Sequence, residues 1–312
     1  MKKIISIIIP VYNNEAYIEE CLSSIVSSKV EKEVIVINDG STDRTEEIIS
    51  KYKVRKEFKI ISTANLGVSH ARNIGLKNAV GDYVLFLDSD DQLTKNGLEK
   101  FIYTISKYSG DLYYGWKSDR NSKCFPINNN EIIEMILFNK IPRTACGIVF
   151  KRELINKNNL SFDENLVYGE DFLFTIEYLK KCSTSVVLNE NLYLVTPRLN
   201  SISRRNDFNH FDKVFAMEEK MNLIFKENEF FRGKAFTLQQ EIILAVEKVV
   251  KSNLSITSKL KIINKIKKNN LLKTCFRMKV PSGFKHALKK QLIHKAPGPL
   301  ILLSYAILLR RR

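Results

Sequence analysis

Four short apolar runs, separated by stretches of helical character, constrain this chain more than any other feature. They read IISIIIP, EVIVIND, FKIIST and DYVLFLD. β-Branched residues at strand length, without polar alternation, mark strands buried on both faces. Helix-like stretches fill the gaps, at residues 15–28, 42–53 and 68–79. Strand and helix in strict alternation predict a mostly parallel sheet covered by helices on each side, an α/β fold.

Ligands of such a sheet bind beyond the carboxyl ends of its strands. The first tip is Pro10-Val11-Tyr12-Asn13-Asn14, and the second runs from Asn38 through Asp39 to Asp43. Asn65-Leu66-Gly67 follows the third, and Asp88-Ser89-Asp90-Asp91 ends the fourth. All four point the same way and are expected to share one crevice. Residues 111–197 are mixed: GIVFKRELI reads as a strand entering a helix, and YGEDFLFTIEYLKKC as a helix. From Asp207 the pattern is helical, which predicts two domains, residues 1–205 and 206–312.

With 312 residues, 44 % hydrophobic and 27 % charged, the chain has the make-up of a folded protein, and wholesale disorder is excluded. Its net charge of +16 is unevenly spread. Acids and bases balance over residues 1–203, so the whole excess lies beyond them, and no acid follows Glu247. A neutral body with a basic tail suggests two tasks. The five cysteines are odd in number and lack any CxxC, against a disulfide framework or zinc knuckle and for a reducing compartment. Ile4 to Ile9 is interrupted by Ser6 and stops at Pro10, too short for a signal-peptide core. No run approaches the roughly 18–20 apolar residues of a spanning helix, so the expected location is cytoplasmic.

Asp88, Asp90 and Asp91 are carboxylates massed at one strand tip. A solvated loop with one helix-capping Asp would explain a single acid, and Asp91 suits that role. Three in four positions point instead to a divalent cation with hard oxygen ligands, Mg²⁺ or Mn²⁺, shared with substrate phosphates. Asp39 lies in turn-forming sequence and is expected at the rim, free to accept from a base N–H or a ribose hydroxyl. Arg72 is an ordinary surface residue or, beside an acidic crevice, a contact for diphosphate or a base edge. His70 reads as structural. Glu170 and Asp171 open a helix, where acids favour the dipole; nothing local separates that from a catalytic base.

Taken in order, SIIIPVYNNEAYIEECLSSI, VIVINDGSTDRT, NLGVSHARNIGL, GDYVLFLDSDD and FDENLVYGEDFLF resemble the motifs of bacterial family-2 glycosyltransferases of the GT-A fold, over roughly the first 200 residues. The resemblance implies an inverting enzyme fed by a nucleotide-sugar, with Pro10, Val11, Tyr12 and Glu15 lining the nucleoside pocket. Asp39 would accept from a uracil-type base, and Arg72 would lie near base and diphosphate. DSD matches the family's DXD element: Asp88 and Ser89 on the sugar-nucleotide side, Asp90 on Mn²⁺ or Mg²⁺. Asp171 would be the general base, with Glu170 beside it. Processive relatives carry QxxRW and several spanning helices, and this chain has neither, which implies single addition. In place of QxxRW stands TPRLNSISRR, whose Arg198, Ser201 and Ser203 would touch diphosphate or acceptor, or merely form a polar linker.

The tail offers a solvated basic face or an interfacial anchor. In FKHALKKQLI, Phe284, Ala287, Leu288 and Leu292 share a face, and the apolar run Leu300–Leu309 ends in three arginines. An anionic leaflet suits this pattern and places the protein peripherally on the inner face of the cytoplasmic membrane, near a lipid-linked glycan acceptor for capsule, lipopolysaccharide or a similar polysaccharide. The competing class is a non-enzymatic polyanion- or nucleic-acid-binding protein. Its basic residues lie apart from the crevice, with no aromatic interleaving and no nucleic-acid motif, so no nucleic acid is expected as partner.

Overall fold

The computed structural model describes residues 4–117, 124–197, 210–226, 229–268, 293 and 295–301. Two compact units divide the chain, Met1–Pro197 and Arg198–Arg312.

In the first unit the four apolar runs become β1 (Ile5–Val11), β2 (Lys32–Asn38), β3 (Phe58–Ser62) and β4 (Tyr83–Phe86). They alternate with α1 (Ile18–Val26), α2 (Thr45–Ser50) and α3 (Val68–Asn78). All four strands are parallel, in the order β3-β2-β1-β4. Every residue of β1 is buried, as a run without polar alternation requires when helices cover both faces.

The sheet continues past β4 with strands the sequence pattern does not announce. After β5 (Gln92–Leu93) and α4 (Gly97–Lys107) come β6 (Leu112–Tyr114), β7 (Phe125–Ile127), α5 (Asn129–Leu137), β8 (Ile148–Lys151) and α6 (Arg152–Lys157). Then follow α7 (Glu170–Leu179), β9 (Ser185–Val187) and β10 (Tyr193–Leu194). The eight-stranded order is β3-β2-β1-β4-β8-β6-β9-β7, with β8 antiparallel to β4 and β6, and β7 antiparallel to β9. Three-residue strands are too short to show a period, which is why only β8 of this half is legible beforehand. A separate ribbon pairs β10 with β5.

Two packing features set the positions of the strand tips. α3 lies close on β1 because residue 75 is glycine: an added Cβ would meet Ile8 Cγ2 at 2.3 Å. Gly75→Ala should therefore cost about 1–3 kcal/mol through overpacking, despite alanine's better helix propensity; urea denaturation would measure it. Beneath the strand tips, Phe86 of β4 meets Phe150, Phe162 and Phe174 edge to face, with centroids at 5.8, 5.0 and 5.7 Å. Phe162 stacks on Phe174 of α7 at 4.2 Å. One aromatic cluster thus seats both the end of β4 and the start of α7.

The second unit contains α8 (His210–Ile224), α9 (Phe231–Lys251) and α10 (Ile256–Lys268). Leu238, Ile242, Val246 and Val249 give α9 a buried apolar stripe, and Lys265 of α10 pairs with Asp212 of α8 at 2.9 Å. No helix among the described residues is long and apolar enough to cross a membrane. Arg198, Ser201 and Ser203, the 284–292 segment and all of the C-terminal run beyond Ile301 lie outside the described residues.

Candidate active site

The tips of β1 and β2 are laced together by their own polar residues. Pro10 and Val11 close β1, buried opposite Ile37 and Asn38, and the Asp39 N–H donates to the Val11 carbonyl at 2.8 Å. Asn13 adopts a left-handed conformation, φ 45°, and its Oδ1 accepts from the Thr42 N–H at 2.7 Å. Glu15 accepts from the Arg44 N–H and Nε at 2.9 and 3.2 Å. Tyr12, 47 % exposed, stands out from this loop. Asn14 reaches across to the fourth tip, where its Nδ2 donates to Ser89 Oγ at 2.8 Å.

Asp39 corrects one expectation. It is buried, not open at the rim: Oδ1 accepts from Thr63 Oγ1 at 3.2 Å and the Leu66 N–H at 3.0 Å, and Oδ2 from the Gly67 N–H at 2.8 Å. Its first task is to fold the turn after β3, where Gly67 takes φ 98°. Oδ2 keeps lone-pair capacity for one more donor.

Arg72 joins two tips. Only 4 % exposed, it donates from Nη2 to Asp88 Oδ1 at 2.9 Å and from Nη1 to Glu170 Oε1 at 3.1 Å. Its guanidinium lies over the Phe162 ring, 5.2 Å from the centroid. Nε is buried without a partner. Next to it, Asn73 clamps the 162–164 backbone: Nδ2 donates to the Phe162 carbonyl at 2.9 Å and to Glu164 at 2.8 Å, while Oδ1 accepts from the Phe162 N–H at 2.8 Å. His70 Nδ1 lies 3.0 Å from Glu164 Oε2. The segment leading to Glu170 is thus docked on α3, a role for Asn73 that only its place beside Arg72 hints at.

Asp171 sits half-buried in the first turn of α7, after Gly169 at φ 80°. Burial and then the neighbouring Glu170 carboxylate raise its pKa to about 7, against the opposing pull of Arg72 and of the Phe172 N–H. A carboxylate poised near neutrality can accept a proton from a hydroxyl at working pH.

Asp91 corrects a second expectation. It does not cap a helix; Asn96 precedes α4. Asp91 is buried, accepting from the Tyr193 hydroxyl and the Thr196 N–H, both at 2.7 Å, and burial pushes its pKa up to about 6. Asp88 is engaged by Arg72 and Asp91 by Tyr193, and Asp90, between them in sequence, is half-buried. Among the described residues no three ligating side chains gather as a metal cage. This donor set fits a hard cation that takes one or two carboxylates and completes its shell with phosphates and water. It does not fit a structural metal.

The model of Glycosyl transferase family 2 matches residues 6–161. The chain belongs to that family. A Bacillus subtilis relative described as uncharacterized glycosyltransferase EpsJ is 31 % identical over 219 residues, covering 65 % of this chain and 64 % of that one. The poly(ribitol-phosphate) beta-N-acetylglucosaminyltransferase TarS of Staphylococcus aureus is 34 % identical over 211 residues, 62 % of this chain and 35 % of TarS. The chain therefore spans less than two thirds of these relatives. The crystal structure of TarS 1–349 in complex with UDP superposes with a TM-score of 0.69 at 23 % identity, covering 100 % of this chain and 92 % of that one. The family-2 fold accounts for the mostly parallel sheet.

Proposed function

We propose that this family-2 protein is an inverting glycosyltransferase that moves one sugar from a UDP-sugar to a hydroxyl of a cell-surface glycan precursor. One observation carries the reading: Arg72 bridges Asp88, at the strand tip suited to a nucleotide-sugar, to Glu170, the neighbour of a carboxylate poised near neutrality. That bridge supports a reading in which the donor-side acid and the candidate base act together.

Asp171 takes the proton of the acceptor hydroxyl while the acceptor oxygen attacks the anomeric carbon. The bond from that carbon to the diphosphate breaks with inversion, and UDP leaves. Mn²⁺ or Mg²⁺ on Asp90 would offset the charge gathering on the leaving diphosphate. Tyr12, with the backbone of Pro10 and Val11, would flank the nucleoside; Glu15 and Ser89 hold those loops in place, and Asp39 would offer its spare acceptor capacity to the base. Turnover of UDP-glucose, UDP-galactose and their N-acetyl forms with Mn²⁺ or Mg²⁺ tests the reading. Asp90→Ala and Asp171→Ala should each abolish it; full activity in both would refute it.

We further propose that the acceptor is lipid-linked and that the basic tail holds the protein on an anionic membrane surface. The support is charge: Lys261 and Lys268 lie on the exposed side of α10, and no acid follows Glu247. Basic residues near such a surface contribute about 1 kcal/mol each. Deleting residues 300–312 should release the protein from anionic vesicles in a flotation assay, and unchanged flotation would refute the anchor.

A further inference from the structure

Three acids share the turn after β4, and their surroundings divide them. Asp88 is 38 % exposed at its side chain and Asp90 is half-buried, whereas Asp91 is 6 % exposed. Both Asp91 oxygens are engaged from one side, Oδ2 by the Tyr193 hydroxyl and Oδ1 by the Thr196 N–H. Asp91 is thereby tied to the segment from Tyr193 to Thr196, with one lone pair of each oxygen committed.

The Tyr193 hydroxyl works in both directions. It donates to Asp91 and accepts the Asp88 N–H at 3.2 Å. The turn closes on itself as well, the Asp91 N–H donating to the Asp88 carbonyl at 3.0 Å. A relay therefore runs from the peptide N–H of Asp88, through the phenol, to the carboxylate of Asp91, with Asp90 in the loop it encloses. Tyr193 is itself immobilised. It is 2 % exposed, its ring lies 5.3 Å from that of Trp116, and Trp116 Nε1 donates to the Cys146 carbonyl at 2.9 Å. Register is fixed by the pairing of Tyr193 with Leu93 and by the Thr94 N–H, which donates to the Leu192 carbonyl at 3.0 Å.

We propose that Asp91 and Tyr193 are positioning residues: their relay fixes the Asp88 peptide and the turn that presents Asp90, and so sets how tightly that turn holds a divalent cation carried by a nucleoside diphosphate. The proposal rests on the nucleotide-sugar reading above. A ligating carboxylate binds well only when its own backbone and rotamer are held, and loss of such outer support commonly costs 10- to 100-fold in metal affinity. A tie that served folding alone would lower stability and leave the cation untouched.

The test is calorimetric titration of the full chain with UDP, with and without Mn²⁺, reading the ratio of the two affinities. Tyr193→Phe keeps the ring packing and removes only the relay hydroxyl. It should lower the ratio about tenfold with UDP binding alone unchanged. Asp91→Asn should act in the same direction, and the double variant should lose no more than the worse single, because both act through one chain. Asp90→Ala, losing the Mn²⁺ dependence altogether, sets the lower limit. A wild-type ratio in Tyr193→Phe overturns the proposal even if Asp91→Asn fails to fold, and additive losses overturn it too. Loss of all Mn²⁺ dependence in Asp91→Asn with none in Tyr193→Phe would make Asp91 a ligand instead. If the unaltered protein binds no UDP, the nucleotide-sugar reading itself fails; UDP binding with an unmoved ratio in the variants removes only the relay.

Discussion

Asp171→Asn should lower kcat by about 10²- to 10⁴-fold, the usual contribution of a positioned base, while UDP-sugar affinity stays within a fewfold. The amide keeps the size of the side chain and loses its basicity, so the deficit belongs in turnover and not in binding. Acidity gives a second readout. Because burial and Glu170 raise the Asp171 pKa to about 7, kcat of the unaltered protein should fall on the acid side of neutrality. Glu170→Gln removes the second-largest cause of that shift and should move the acid limb to lower pH. For stability the sign runs the other way. The folded protein keeps a proton on Asp171 where the unfolded chain has already lost it. This residue's contribution is therefore fully present in acid and is lost as pH rises from about 4 to about 7. Above neutrality, where the wild type must bury a charge, Asp171→Asn should melt higher than wild type, the usual sign of a site kept for chemistry.

What could be read in advance follows physical range. The parallel half of the sheet was legible because its strands are uninterrupted apolar runs, and the convergence of their tips follows from parallelism alone. The second half was not: β6, β7 and β9 have three residues each, and their pairing is decided by contacts distant in sequence. The acids behave likewise. That Asp88, Asp90 and Asp91 are candidates for a site follows from their crowding, but the partners that tell them apart are Arg72, Tyr193 and Thr196, which no local spacing connects to them. Asp39 lies buried and not at the rim for the same reason, since its partners come from the turn after the neighbouring strand. Glu170 was placed by its neighbourhood, and only its contact with Arg72 gives it a task separate from the helix dipole.

Arg72→Met should be the most destabilising single change at the site, by about 3–5 kcal/mol, the loss expected when one partner of a buried ion bridge is removed. The long apolar side chain can still cover Phe162, so packing contributes little to the deficit. The unpaired acid it leaves behind is the main cost, because Glu170, 13 % exposed at its side chain, would lose its partner. Arg72→Lys should recover only part of the stability, since an ammonium is a point charge and cannot present two donors in one plane to Asp88 and Glu170. Neutralising the whole bridge, with Arg72→Met, Asp88→Asn and Glu170→Gln together, should restore most of it, as buried ion groups tolerate joint replacement by neutral residues of similar size. Activity should not return with it. On the proposed reading Asp88 would no longer meet the sugar-nucleotide as a carboxylate, and Asp171 would lack the neighbour that raises its basicity. Urea denaturation of the single and triple variants, set beside their turnover, separates the two roles. A loss below about 1 kcal/mol in Arg72→Met, the range of an exposed pair, would mean that the bridge does not form in solution. Recovery of stability without recovery of turnover would mean that these charges are retained for the reaction and not for the fold.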